Sequence, residues 1–108
     1  MIVSFETEQL QRTCYALGVA EAEYGAVHAQ ALITLIADIE AFDNAYELID
    51  FFGLHSDNQL GDSLSLAIGS EYRATLVAVG KKYQPDAGGR LNWSRVTRLK
   101  LVNITESR

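Results

Sequence analysis

"SLSLAIGSEYRATLVAVG", residues 63–80, is the stretch on which the architecture turns. Its opening sets Leu64, Leu66 and Ile68 against Ser63, Ser65 and Ala67, so a strand of period two has one greasy face and one small, polar face. Gly69 to Glu71 allow a tight turn, and "YRATLVAV" behind them is a second strand rich in β-branched residues. The two are predicted to form a hairpin whose polar face carries Ser63, Ser65, Arg73 and Thr75.

Upstream of the hairpin the period is helical. "MIVSF" reads as a short first strand, after which Thr7 can cap a helix running to about Leu17 and ended by Gly18. In residues 21–45 apolar side chains recur at Tyr24, Val27, Ala31, Leu35 and Ile39, widened by Leu32, Ile36 and Phe42, the spacing of one long amphipathic helix. "AYELIDFF" adds a short turn of helix before the polar loop "GLHSDNQLGD". Downstream, "KKYQPDAGGRLN" is a loop marked by Pro85, Gly88 and Gly89. "VTRLKLVNI" is apolar in both phases, as expected of a central strand covered on both faces, with Arg98 and Lys100 sharing one of them.

The predicted order is strand, helix, helix, strand, strand, strand, an α+β domain over residues 1–108 with the helices packed on one face of a small antiparallel sheet. The helix at 24–42 is expected to bury Val27, Ala31, Leu35 and Ile39 against Leu64, Leu66 or Leu99. The other face of the sheet is expected to stay open and to carry the cations of the last strand.

Composition bounds the function. A chain of 108 residues with 48% hydrophobic content can bury a core without staples. Cys14 is the one cysteine, so no internal disulfide is possible. "MIVSFETEQL" lacks the basic and apolar regions of a secretory signal, and no run approaches the ~18 apolar residues of a membrane span. A cytoplasmic protein without membrane contact is expected. His28, His55 and Cys14 have no metal-ligand spacing, Gly88-Gly89 is a turn rather than a phosphate-binding loop, and no metal or cofactor is expected. Trp93 reads as a core or rim anchor.

The net charge of −5 hides a division. Residues 1–62 hold eleven acids against Arg12 alone, a balance of −10, whereas residues 63–108 hold eight bases against three acids, a balance of +5. Two faces with different partners follow, the basic one suited to phosphates.

This order of elements, "YG" followed by "A..L...I" in the second helix, "YR" at the head of a strand after a "GD" loop, and the closing "GGRLNWSRVTRLKLVNI" resemble the RelE/ParE superfamily of toxins, with closest similarity to its HigB-like members, some of them labelled killer proteins or killer suppression proteins. The resemblance covers most of the chain. It implies the toxin of a type II toxin-antitoxin pair, neutralised by a separately encoded antitoxin of helix-turn-helix type and acting as a metal-free endoribonuclease on mRNA in the ribosome. In such chemistry a 2′-hydroxyl attacks the adjacent phosphate, which needs a base, an acid for the leaving oxygen, and cations for the charge building on phosphorus. Arg73 stands where the family places an arginine on its active sheet; Tyr83, Arg95, Arg98 and Lys100 are implied phosphate contacts. Arg108 stands near where related chains end in a tail closing on histidine, here "TESR". Family nucleases often carry paired lysines or arginines on the strand before "YR", where this chain has Ser63 and Ser65. The implied nuclease site is therefore atypical, and the alternative on the same fold is a non-enzymatic binder, either a ParE-like inhibitor of DNA gyrase or a catalytically silent member.

Overall fold

The hairpin forms where the alternation places it. A computed structural model describes residues 1–54, 59–60, 63–80 and 92–106, and in it β3 (Ser63–Ile68) pairs antiparallel with β4 (Tyr72–Ala78). Leu64, Leu66 and Ile68 on one strand and Ala74, Leu76 and Ala78 on the other are buried. Gly69 makes the turn at φ +60°, and a Cβ there would stand 2.7 Å from Cδ2 of His28. Both features demand glycine. Gly69→Ala is expected to cost about 2 kcal/mol, lowering Tm by roughly 10 °C, through strained backbone and the displaced His28 ring together. A His28→Ala background should recover the steric share of that loss in thermal melts and leave the backbone share.

Around the hairpin the described residues form one five-stranded sheet in the order β1-β5-β4-β3-β2. Its other strands are β1 (Ile2–Phe5), the two-residue β2 (Gln59–Leu60) and β5 (Arg98–Glu106). β5 is central as expected, but β1 runs parallel to it, with Val3 opposite Leu99 and Phe5 opposite Leu101. The sheet is thus mixed rather than antiparallel. The helices between β1 and the hairpin return the chain to the end from which β1 can lie alongside the last strand in the same direction.

β5 is covered on one face, not two. Its pairing with β4 slips between Thr75 and Leu76, which face Asn103 and Leu101, so Val102 is the extra residue of a bulge. The bulge explains the apolar run in both phases: Leu99 and Leu101 before it and Ile104 after it all pack on the core.

Four helices, not two, separate β1 from the hairpin among the described residues: α1 (Glu8–Tyr15), α2 (Leu17–Tyr24), α3 (Ala26–Ala41) and α4 (Ala45–Phe52). Thr7 caps α1 as expected, its Oγ1 accepting from the Leu10 N–H at 3.1 Å. α1 ends at Ala16, however, and Gly18 lies inside α2. The break falls instead at Gly25, whose φ of +85° closes α2 and opens α3. α3 faces inward with Ala29, Leu32, Leu35, Ile36 and Ile39. Val27 is left 76% exposed, and Ala31 half-buried, against the expectation that both lie in the core. Asn44 caps α4 by accepting from the Glu47 N–H at 3.0 Å, while the Glu47 carboxylate accepts from the Asp43 N–H at 2.8 Å. Among the described residues no helix is long and apolar enough to cross a membrane.

Candidate nucleic-acid interface

Strand alternation puts a polar surface on the side of the sheet away from the buried core. β3 contributes Ser63, Ser65 and Ala67; β4 contributes Arg73, Thr75 and Val77. β5 adds Arg98 and Lys100 before its bulge, then Asn103 and Thr105 after it, because the extra residue shifts the phase. Without the bulge Asn103 and Thr105 would point to the core.

Arg73 sits on the central strand near its hairpin-turn end, with Ala67 opposite on one side and Thr105 on the other. Its Nε donates to Ser65 Oγ at 2.7 Å and an Nη donates to the Ser65 carbonyl at 3.1 Å. The guanidinium is half-buried and held flat along the hairpin by two bonds to one residue, which leaves donors of its five for a phosphate. Small residues at Ser65 and Ala67 make room for it. Ser65 thus orients Arg73.

Lys100 lies opposite Val77, four residues along β4 from Arg73, or about 13 Å at strand rise. Arg73 and Lys100 are therefore two separate cationic points, linked by the hydroxyls of Ser65 and Thr75 and the Asn103 amide. Lys100 Nζ is paired with Glu6 Oε2 at 3.1 Å, an exposed ion pair worth at most about 1 kcal/mol, which a phosphate can displace. Glu6 follows β1, and its place beside Lys100 depends on the parallel β1 to β5 pairing. No local sequence signal marks it.

Arg98 is exposed at the start of β5, on the same face as Lys100. Arg95 is not on the sheet. It belongs to a 3-10 turn, Trp93–Arg95, in which Trp93 is buried, while the adjacent Val96 carbonyl accepts from the Ala45 N–H at the start of α4 at 2.9 Å. The strand begins two residues later than the run of β-branched residues suggests, because Val96 is used as a plug at the helix end. Tyr83, Arg108 and His55 lie outside the described residues.

The remaining reactive groups are on the other side. His28 packs edge-on to Tyr72 at 5.1 Å between centroids, and Tyr24 meets the same ring at 4.9 Å. Burial, then nearby Glu23, pushes the Tyr24 hydroxyl above its usual pKa. Cys14 is 1% exposed, and burial pushes its thiol up to about 12, so it is un-ionised at neutral pH and a poor nucleophile. What the open face can do is hold phosphates and stabilise charge on one of them at Arg73. Compared with family models, curated proteins and solved structures, the chain matches none.

Proposed function

We propose that this chain is the toxin of a type II toxin-antitoxin pair on a RelE/ParE-like fold, working in the cytoplasm, and that its open sheet face binds RNA with Arg73 at the phosphate that reacts. The observation that carries this reading is the Arg73 guanidinium, fixed by two hydrogen bonds to Ser65 on the central strand, with Ala67 and Thr105 as its neighbours across the sheet. A cation held in place before the reaction costs no reorganisation when charge builds on phosphorus. In the cleavage step the 2′-hydroxyl bonds to the adjacent phosphorus, the 5′-oxygen leaves with a proton, and a cyclic phosphate remains. Arg73 stabilises the five-coordinate dianion, and Lys100 and Arg98 hold the backbone further along the strand.

Glu6 is a carboxylate beside the cations, and among the described residues of this face there is no imidazole, so proton transfer falls to a carboxylate such as Glu6 or to residues outside the described set such as Tyr83 and Arg108. The Lys100 to Glu6 pair also favours the second reading, a non-enzymatic binder of the same fold, since it neutralises one of the three cations at rest.

Induced expression, with growth and primer extension on a cellular mRNA as readouts, separates the two. Growth arrest with new mRNA ends, both relieved by co-expressing an adjacent helix-turn-helix gene, is the expected result. Arrest without cleavage would shift the reading to gyrase, checked by a supercoiling assay. Unimpaired growth with no cleavage would leave a silent member.

A further inference from the structure

A carboxylate stands within the face read as a phosphate-binding surface. Glu6 directly follows β1, and its N–H donates to the Leu101 carbonyl at 2.9 Å, which ties its backbone to β5 beside Lys100. Its Oε2 lies 3.1 Å from Lys100 Nζ, and both side chains are open enough to water for an anion to reach the pair. Ser4, exposed opposite Lys100 on the neighbouring strand, adds a hydroxyl. An anion at this point works against phosphate binding unless it has a second use.

The chemistry of the group supplies one. An ionised carboxylate accepts hydrogen bonds and cannot donate them. When a phosphate displaces Glu6 from Lys100, two anions are left side by side, and they repel unless a donor comes between them. RNA and DNA differ at this position. In RNA the sugar carbon next to the one bearing the 3′-phosphate carries a hydroxyl, so a group that touches the cation under that phosphate meets a donor; in DNA it carries only hydrogen. There is also room for the sugar. A groove of about 410 Å³ opens beside Glu6, walled by Ser4, Phe5, Thr7, Glu8 and Gln11.

We propose that Glu6 is the residue by which this face tells RNA from DNA. A backbone phosphate takes Lys100 from it, and the freed carboxylate accepts a hydrogen bond from the 2′-hydroxyl of the same nucleotide. This rests on the RNA-binding reading and names the chemical group selected. With a strand that lacks the hydroxyl, the Glu6 charge holds Lys100 back and opposes the phosphate.

The test is fluorescence anisotropy of the full chain with three oligonucleotides of one sequence, built on ribose, 2′-deoxyribose or 2′-fluororibose and checked intact on a gel. The fluorine keeps an RNA-like sugar but donates nothing. The parent is expected to bind RNA about tenfold more tightly than either of the others, the scale of one hydrogen bond to a charged group. Glu6→Ala should bring the three within about twofold, chiefly by tightening the two that lack the hydroxyl, because Lys100 is then free of its competitor. Lys100→Ala should weaken all three, and adding Glu6→Ala to it should shift their ratios by less than about twofold, since the two residues act as a pair. A parent that binds RNA and the fluoro strand alike, or a Glu6→Ala variant that keeps the tenfold preference, would overturn the proposal while leaving RNA binding by the face in place. So would an equal gain for all three strands on Glu6→Ala, which would make Glu6 a general surface charge. Tighter binding of DNA than of RNA would overturn it in favour of the gyrase reading. Binding of none of the three by the parent would overturn the RNA-binding reading and this selectivity with it.

Discussion

Leu32→Asp is expected to leave the chain unfolded at 25 °C, while Val27→Asp, five residues earlier on the same helix, should melt with the parent. Leu32 is fully buried among Ile36, Leu64, Leu66 and Leu76 in a core shared by every layer of the fold. Truncating a buried leucine costs about 2–5 kcal/mol, and leaving a carboxylate with no partner in its place adds several more. Domains of this size hold only about 5–15 kcal/mol in all. Val27 is 76% exposed in the first turn of α3, where an aspartate loses little packing and meets the positive end of the helix dipole. Its effect should stay within about 0.5 kcal/mol. Circular dichroism melts of the two variants decide the matter. Equal melts, or Val27→Asp unfolding as well, would mean that α3 faces the core differently.

That contrast also marks what the sequence could disclose. Periodicity alone placed Leu35 and Ile39 in the core, and both are buried. It failed at Val27 because residues four apart drift by about 40° per step around the helix, so Val27 and Ala31 lie off the face on which Ala29, Leu32, Ile36 and Ile39 are buried. The hairpin was legible because alternation and a turn glycine agree over sixteen residues of local sequence. The direction of β1 was not. Whether the first strand lies parallel or antiparallel to the last is decided by the path of the four helices between them, and no residue in "MIVSF" encodes it. The bulge at Val102 was hidden in plain sight, since a strand apolar in both phases fits a doubly covered strand or a shifted one equally well.

The candidate site divides in the same way. Arg73, Arg98 and Lys100 follow from alternation and do share a face. Arg95 left it because Val96 serves the start of α4 rather than the sheet. Glu6 and Asn103 joined it through long-range pairing and the bulge, neither of which has a local signature. The role of Ser65 could be read only once the diagonal to Arg73 was visible.

Arg73→Ala should abolish growth arrest and lower mRNA cleavage by 10²–10³-fold, the loss of about 2.7–4 kcal/mol that follows removal of one transition-state donor. Stability should change little, because the side chain lies on the open face and water can satisfy the Ser65 hydroxyl and carbonyl it leaves behind. Arg73→Lys keeps the charge but cannot bond Ser65 at two points and reach a phosphate as well, so it should recover only a small part of the rate. Ser65→Ala separates orientation from charge. It retains the guanidinium and the backbone bond at 3.1 Å but loses the 2.7 Å bond, and about a tenfold loss is expected, with RNA affinity and its salt dependence intact. Lys100→Ala, by contrast, should weaken binding by roughly one phosphate contact at every sequence. If Arg73→Ala arrests growth and cuts mRNA as the parent does, the open face is not where the phosphate reacts. If it loses cleavage but still binds RNA as tightly as Ser65→Ala, the arginine acts on the transition state and not on docking.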